Sequence, residues 1–408
     1  MEKILEGIKV LDLTQGAAGP SATRYLGEMG ADVIKVEPPE GEWVRAFPPF
    51  TGGEGGHFLG HNRCKRAIAV DLKNKDALQV IKKMAANADV VMESYRPGVI
   101  DRLGLGYKEI SAINPKVVYC SISGFGQTGP YAQQPGVDGI MQGIGGIMSV
   151  TGEKGRPPAR AGTLIADMTT GMFAANSVIA ALFYRERSKV GQKVDVCLLD
   201  VMMALQMLNF SEYLISGKLP ERTGSEAPYA CPNGGYPTKD GYIMMAAYVD
   251  KRWRALCKLI NREDLVEHPD YATNPKRVEN REKLNEILNT EMKKKTSKEW
   301  LKLLSEVDIL CGPINTYEDL VNDPQVKENN MIIDVEHPTA GKLKMVGFAP
   351  KFSVTPLAVN NPPPLCGQHT VEVLRENGYA DEFIEKLLAE KAFVQYQPEP
   401  MKTAMAGG

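Results

Sequence analysis

Asp167 stands in RPPARAGTLIADMTTGMFAANSVIAALF, residues 156 to 183, where a loop with two prolines and two arginines gives way to a helix of small residues. A carboxylate at a helix N-terminus is held ionised by the helix dipole, and an ionised carboxylate is a nucleophile. Aspartate is equally a preferred N-cap with no chemical duty, and spacing does not separate the two roles. Gly162 and Gly171 on either side would leave room for a bulky substrate. A second candidate is the turn Thr14-Gln15-Gly16-Ala17-Ala18-Gly19-Pro20. A dinucleotide fingerprint needs G-x-G-x-x-G, and here the first glycine is missing. The helix amino end can still face an anion, because its free N–H groups and dipole point that way. The turn therefore favours a nucleotide-like or phosphate-bearing ligand over NAD.

Other chemistry is sparse. Lys65, Arg66 and Lys73 form either a solvated basic face or a phosphate clamp. His57, His61, His268, His337 and His369 show no metal-binding spacing; Gly55, Gly56 and Gly60 make the His57–His61 stretch a loop rather than a ligand-bearing helix. Seven cysteines without a CxxC pair argue against both disulfides and thiolate zinc, so no metal is expected. There is no G-x-S-x-G elbow and no P-loop.

The elements that must carry these residues follow from the apolar pattern. IKVLDL, DVIKVE, RAIAVDL, DVVMES and KVVYCSISGFG read as strands, with a helix over Lys75 to Asn87. Strands alternating with helices imply a parallel sheet with crossover helices. TGMFAANSVIAALFYRER is apolar or small around most of its circumference and reads as a buried helix. VDVCLLDVMMALQMLNFSEYLI gives a strand and one long helix. The fold class is α/β, a Rossmann-like parallel-sheet large domain plus a smaller α+β domain. The large domain is expected over 1–216, a Gly- and Pro-rich linker over 217–236, and the small domain over 237–325. A return segment, 326–395, completes the large domain, and 396–408 is a tail.

At 408 residues, 43% apolar, 24% charged and net charge -2, the chain offers no basic footprint for nucleic acid. No apolar signal core and no run of about 18 apolar residues stands out, so a cytoplasmic protein away from membranes is expected.

Ordered along the chain, LEGIKVLDLTQGAAGP, LGEMGADVIKVEPPEG, CKRAIAVDLKN, ADVVMESYRPGVIDRLGLGY, NPKVVYCSISGFGQTGPYA and the Asp167 stretch resemble the class III CoA-transferases. This is the formyl-CoA transferase or CaiB/BaiF family. CGPINTYEDLVNDPQV and PPPLCGQHTVEVLRENGY continue the likeness, which runs from about residue 5 to about 394. The resemblance implies an interlocked homodimer, with a heteromer as alternative, acting on acyl-CoA and a carboxylic acid. It implies that Asp167 attacks the donor thioester and carries CoA as an aspartyl thioester. Positions matching the family's coenzyme A contacts are Gln15, Gly16, Ala18, Val70, Lys73, Ser94, Tyr95, Arg102 and Leu103, with Arg102 a phosphate ligand. Three departures argue against oxalate as acceptor. Gln15 replaces a histidine, Pro38 replaces an arginine, and CPNGGYP is the nearest approach to a closing glycine loop.

Two other roles fit the same scaffold. α-Methylacyl-CoA racemases pair this aspartate with a histidine in a Gly-His-Asp triplet, which here reads Gly136-Val137-Asp138. Valine moves no proton. A CoA-binding partner subunit of a heteromeric transferase is the other. The donor is expected to be succinyl-CoA or another acyl-CoA, the acceptor a small or medium organic acid. Met141, Met148 and Met168 are either ordinary core residues or the wall of an adaptable pocket.

Overall fold

A computed structural model describes residues 3–397 of the chain; the expected tail beyond 397 lies outside them. The chain divides into two compact units. The first comprises Met1–Gly145, Gly162–Met207 and Asn330–Gly408; the second comprises Gly146–Ala161 and Leu208–Asn329.

Six strands of the first unit run parallel: β1 (Lys9–Leu13), β2 (Asp32–Glu37), β3 (Arg66–Val70), β4 (Val90–Glu93), β5 (Val118–Ser123) and β6 (Gln192–Cys197). Their spatial order is β3-β2-β1-β4-β5-β6, and Phe393–Val394 adds an antiparallel edge beside β3. This is the doubly wound order, and its direction reverses between β1 and β4. Both faces of the sheet are buried, so the strands are near-continuous apolar runs rather than alternating ones. Val10, Met92 and Cys120 pack on one face; Leu11, Val91 and Tyr119 pack on the other.

Three helices set the site: α1 (Ala18–Glu28), α2 (Asp138–Ile144) and α3 (Ile165–Ser188). Ala22 and Leu26 of α1 share one core with Ala174, Val178 and Ala181 of α3. Gly171 permits the close approach. A Cβ there would lie 2.8 Å from the Ala18 carbonyl oxygen and 2.9 Å from Ser21 Cβ. Its lack of a side chain accommodates a neighbouring helix, not a substrate; Gly162, by contrast, faces open space. At 24 residues, α3 is by length and composition long and apolar enough to cross a membrane, contrary to the expectation that no such run stands out; 44% of that stretch is buried.

The second unit has a three-stranded antiparallel sheet, ordered Leu310–Pro313, Tyr242–Ala246, Asn233–Pro237. Trp253 and Trp300 fill its core with Leu284 and Leu288. Buried Arg277 holds it together by donating to the carbonyls of Cys231, Tyr248 and Tyr271. The segment read as a linker lies inside this unit. Gly234, Gly235 and Tyr236 pair with Tyr242–Ala246, so a glycine-rich stretch that looked like a connector is a strand. Residues 146–161 and 208–216 also group here rather than with the large unit. The expected long helix after β6 is two, Leu198–Leu205 and Met207–Ser216. Gln206 marks the break, its Nε2 donating to the carbonyls of Gly145 and Met202.

Candidate active site

The carboxyl ends of β1 and β4 flank the point where the strand order reverses, the place where open α/β sheets form their ligand crevice. Gln15 and Ser94 bridge that point. The Gln15 N–H donates to Ser94 Oγ at 2.9 Å, and Ser94 Oγ donates to the Gln15 carbonyl at 3.4 Å. Gly16 follows with φ of +86°, a left-handed conformation that glycine adopts without strain. Its N–H donates to Glu42 Oε2 at 3.0 Å. Ala18 opens α1, and Tyr95 packs its ring against the core behind β4. Gln15, Gly16, Ala18, Ser94 and Tyr95 are thus brought to one edge of the sheet. The remaining expected contacts are not gathered with them. Val70 is 2% exposed, its side chain part of the core. Leu103 packs against the same core. Lys73, in the turn after β3, and Arg102, the last residue of the short helix Val99–Arg102 after β4, are exposed cations.

The expected basic face of Lys65, Arg66 and Lys73 does not form. Lys65 is buried and donates to Asp12 Oδ2 (3.0 Å), Asn62 Oδ1 (2.7 Å) and the Pro20 carbonyl (3.0 Å). Burial works against a charge on Asp12, yet Lys65, Lys35 and the hydroxyls of Thr14 and Thr23 hold its carboxyl below the usual range. Burial pushes Lys65 down to about 8, which leaves it protonated at neutral pH and the pair ionised. Lys35 continues the chain, 3.3 Å from Glu42 Oε1 and donating to the Thr14 carbonyl at 3.0 Å. Arg66 is tied to Asp32, Glu372 and Glu376. Glu37, where a dinucleotide enzyme would read a ribose, is buried and grips Arg45 through both oxygens at 2.7 Å. Of these charges, Lys35, Lys65, Asp12 and Glu42 bond directly to the turn at residues 14–20.

Asp167 is the third residue of α3, and Leu164, not Asp167, is the N-cap. The cap is supplied from α2. Asp138 Oδ1 accepts from the N–H groups of Ala166 (2.9 Å) and Asp167 (3.3 Å). Gln142 Nε2 donates to the other Asp138 oxygen at 2.7 Å. Asp138 thus satisfies the helix end and relieves Asp167 of that duty. The dipole does not keep Asp167 fully ionised, as the sequence suggested. Burial, reinforced by the nearby Asp138 charge, pushes its carboxyl up to about 7. A buried carboxyl raised to about 7 is a perturbation of the kind that marks a candidate functional group.

The next residue, Met168, lines a cleft of about 540 Å³ with Arg24, Leu59, His61, Arg63, Met345 and Phe348 among others; Asp167 itself is not part of that lining. Ser21 Oγ lies 3.9 Å from Met168 Sδ and 3.1 Å from His61 Nδ1. The stretch holding His57 and His61 is a short helix, Gly56–His61, and not the expected loop. Burial, with repulsion from Arg24 and Lys65, pushes His61 down to about 4, so the ring is neutral. Among the described residues no group of three His, Cys, Asp or Glu side chains is placed to hold a metal. Of the three methionines, Met141 is core and Met168 lines the cleft; Met148 belongs to the second unit. Val137, where a racemase has its histidine, is 60% exposed. The residue the sequence reading passed over is Asp138. An aspartate that opens one helix 29 residues before Asp167 carries no local sign that it caps another.

A model of CoA-transferase family III matches residues 5–370. The chain is 38% identical over 398 residues to human succinyl-CoA:glutarate CoA-transferase, covering 97% of this chain and 91% of that protein. It is likewise 38% identical over 380 residues to the succinate–glutarate CoA-transferase of Agrobacterium fabrum, covering 91% and 95%. Its fold is similar to the crystal structure of a CaiB/BaiF family protein from Brucella suis, with TM-score 0.84, 35% identity, and 92% and 100% of the two chains covered.

Proposed function

Because the chain belongs to CoA-transferase family III, we propose that it moves CoA from an acyl-CoA to an organic-acid carboxylate through a covalent intermediate on Asp167. The observation that carries this reading is Asp167 itself: freed from capping by Asp138, followed directly by a residue that lines a cleft, and pushed up to about 7 by burial. The carboxylate attacks the thioester carbonyl, and CoA thiolate leaves to give a mixed anhydride. The thiolate attacks the aspartyl carbonyl, expelling the first acid and leaving an aspartyl-CoA thioester. The acceptor carboxylate attacks that thioester, CoA thiolate leaves again, and the thiolate takes the acceptor's acyl carbon. Asp167 returns as a carboxylate, with no net proton change.

Gln15, Gly16, Ala18, Ser94 and Tyr95 would hold the coenzyme at the β1/β4 edge. Lys73 and Arg102 would meet its phosphates, a task suited to exposed cations. Val70 and Leu103 would contribute backbone only. The named acids of the relatives support a dicarboxylic acceptor with succinyl-CoA as donor.

Activity is expected to follow the ionisation of Asp167. A carboxyl near 7 is protonated and inert below that pH, so kcat/KM should rise from pH 6 to pH 8 and then level. Glu93, next to Tyr95, is also pushed up to about 7 by burial. Asp138→Asn separates the two, because it removes repulsion from Asp167 alone and should shift the inflection to lower pH. A profile flat between pH 5 and 8 would argue against a raised Asp167 carboxyl as the group that limits the rate.

A homodimer is part of the proposal. Met172, Phe173 and Phe183 on α3 are 51%, 45% and 63% exposed, more apolar surface on one helix than a lone chain ordinarily leaves in water. Sedimentation velocity at micromolar concentration should give a dimer of 44.7 kDa chains; a monomer at that concentration would refute it.

A further inference from the structure

The cleft beside Met168 carries a surplus of positive charge that CoA transfer as such does not require. Arg24 and Arg63 both hold the same Glu28 oxygen, at 2.5 and 2.8 Å. Two guanidiniums on one carboxylate leave one net positive charge, and His61, being neutral, adds none. The two arginines are 13% and 2% exposed at the side chain, so solvent screens them little. Arg63 is fully engaged: it also donates to the carbonyls of Val346 and Gly347, and its guanidinium lies 4.7 Å over the Phe348 ring. Arg24 is less so: its guanidinium lies 4.4 Å over the Tyr25 ring and pairs with Glu28, but its Nε has no hydrogen-bond partner.

The link between this charge and Asp167 runs through Met168, which lines the same cleft as Arg24. Met168 follows Asp167 directly, and its sulfur lies 3.9 Å from Ser21 Oγ. Ser21 and Arg24 are three residues apart on α1, one face of one turn, about 4.5 Å along the axis. An acyl chain of a few carbons, with its reacting carboxyl at Asp167, would run past Met168 and Ser21 towards the guanidinium. The intervening wall of Leu59, Met168 and Met345 is apolar and suits methylenes.

We propose that Arg24 is a specificity-determining residue that reads the distal carboxylate of a short dicarboxylic acid. In each half-reaction the cleft holds the acyl part, first of the donor and then of the acceptor. The inference rests on the transferase reading above, and it adds what selects the substrate: a bare monocarboxylic chain leaves the Arg24 charge without a partner in an apolar cleft. A bidentate guanidinium–carboxylate pair is the geometry that arginine provides and lysine does not.

The test compares succinyl-CoA with butyryl-CoA, the same four-carbon chain without the distal carboxylate, as donors to the full-length protein. The rate of hydroxylamine-trappable adduct formation on the enzyme is read by intact-mass spectrometry. The wild type should favour succinyl-CoA, and Arg24→Gln should cut the succinyl-to-butyryl ratio by about 10- to 100-fold, mainly through apparent affinity. Arg24→Lys should restore only part of it. Lys344→Gln, which removes an exposed cation on the same cleft, should leave most of the ratio in place. Equal losses for both esters in Arg24→Gln, or a ratio that follows Lys344 instead, would overturn this inference and spare the transferase reading. No adduct from either ester in the wild type would overturn both.

Discussion

Asp167→Asn is expected to lower kcat for CoA transfer by about 10⁴-fold or more while the protein still folds and binds CoA. An asparagine amide does not attack a thioester, and deleting a nucleophile outright costs losses of that order. The same substitution is expected to stabilise the fold at alkaline pH. Burial and Asp138 raise the Asp167 carboxyl to about 7 from an ordinary 3.8. A raised acid contributes fully to stability below its unfolded value, and that contribution is lost as pH climbs through 7. At pH 8 the wild type therefore carries an unfavourable buried charge that asparagine lacks, worth at most a few kcal/mol at about 1.4 per pH unit. Urea unfolding at pH 8 and pH 4 checks this. The variant should be the more stable at pH 8, and the gap should close at pH 4. A variant that is inactive because it is less stable at pH 8 would place Asp167 among structural residues.

The second large effect concerns Lys65. Lys65→Met is expected to lower stability by about 3–5 kcal/mol, because it leaves the buried Asp12 carboxylate without its closest cation. Asn62 Oδ1 and the Pro20 carbonyl lose their donor as well. Those groups frame residues 14–20, so CoA affinity should fall with stability. Coupling to Asp12→Asn is the sharper readout: once the carboxylate is an amide, adding Lys65→Met should cost markedly less than it does alone. A loss under 1 kcal/mol for the single variant, or simple additivity of the two, would mean that the pair does not hold the turn.

Much of this architecture is written in short-range pattern. The five expected strands appear because Val, Ile and Leu runs are bounded by glycines and polar turns, and a sheet buried on both faces needs no alternation to be recognised. Asp167 stood out as a carboxylate against a run of small residues, but local pattern left nucleophile and N-cap equally open. What the pattern does not carry depends on partners outside the segment itself. Nothing near Lys65 says that Asp12, 53 residues away, will bury it. The cap on α3 comes from another helix, and Gly171 is small because Ala18 and Ser21 lie against it. Gly234 and Gly235 read as a linker because glycine weakens a strand, yet register with Tyr242–Ala246 makes them one. Composition reports what a segment prefers alone; long-range pairing decides what it becomes.

The central claim is that Asp167 carries the transferred group. Intact-protein mass spectrometry of the purified chain, mixed with succinyl-CoA and quenched with hydroxylamine, addresses it directly. The expected result is a mass shift that maps to a hydroxamate on Asp167, grows with pH between 6 and 8, and is absent in Asp167→Asn. Turnover without any such adduct, or an adduct that persists in Asp167→Asn, would contradict the account.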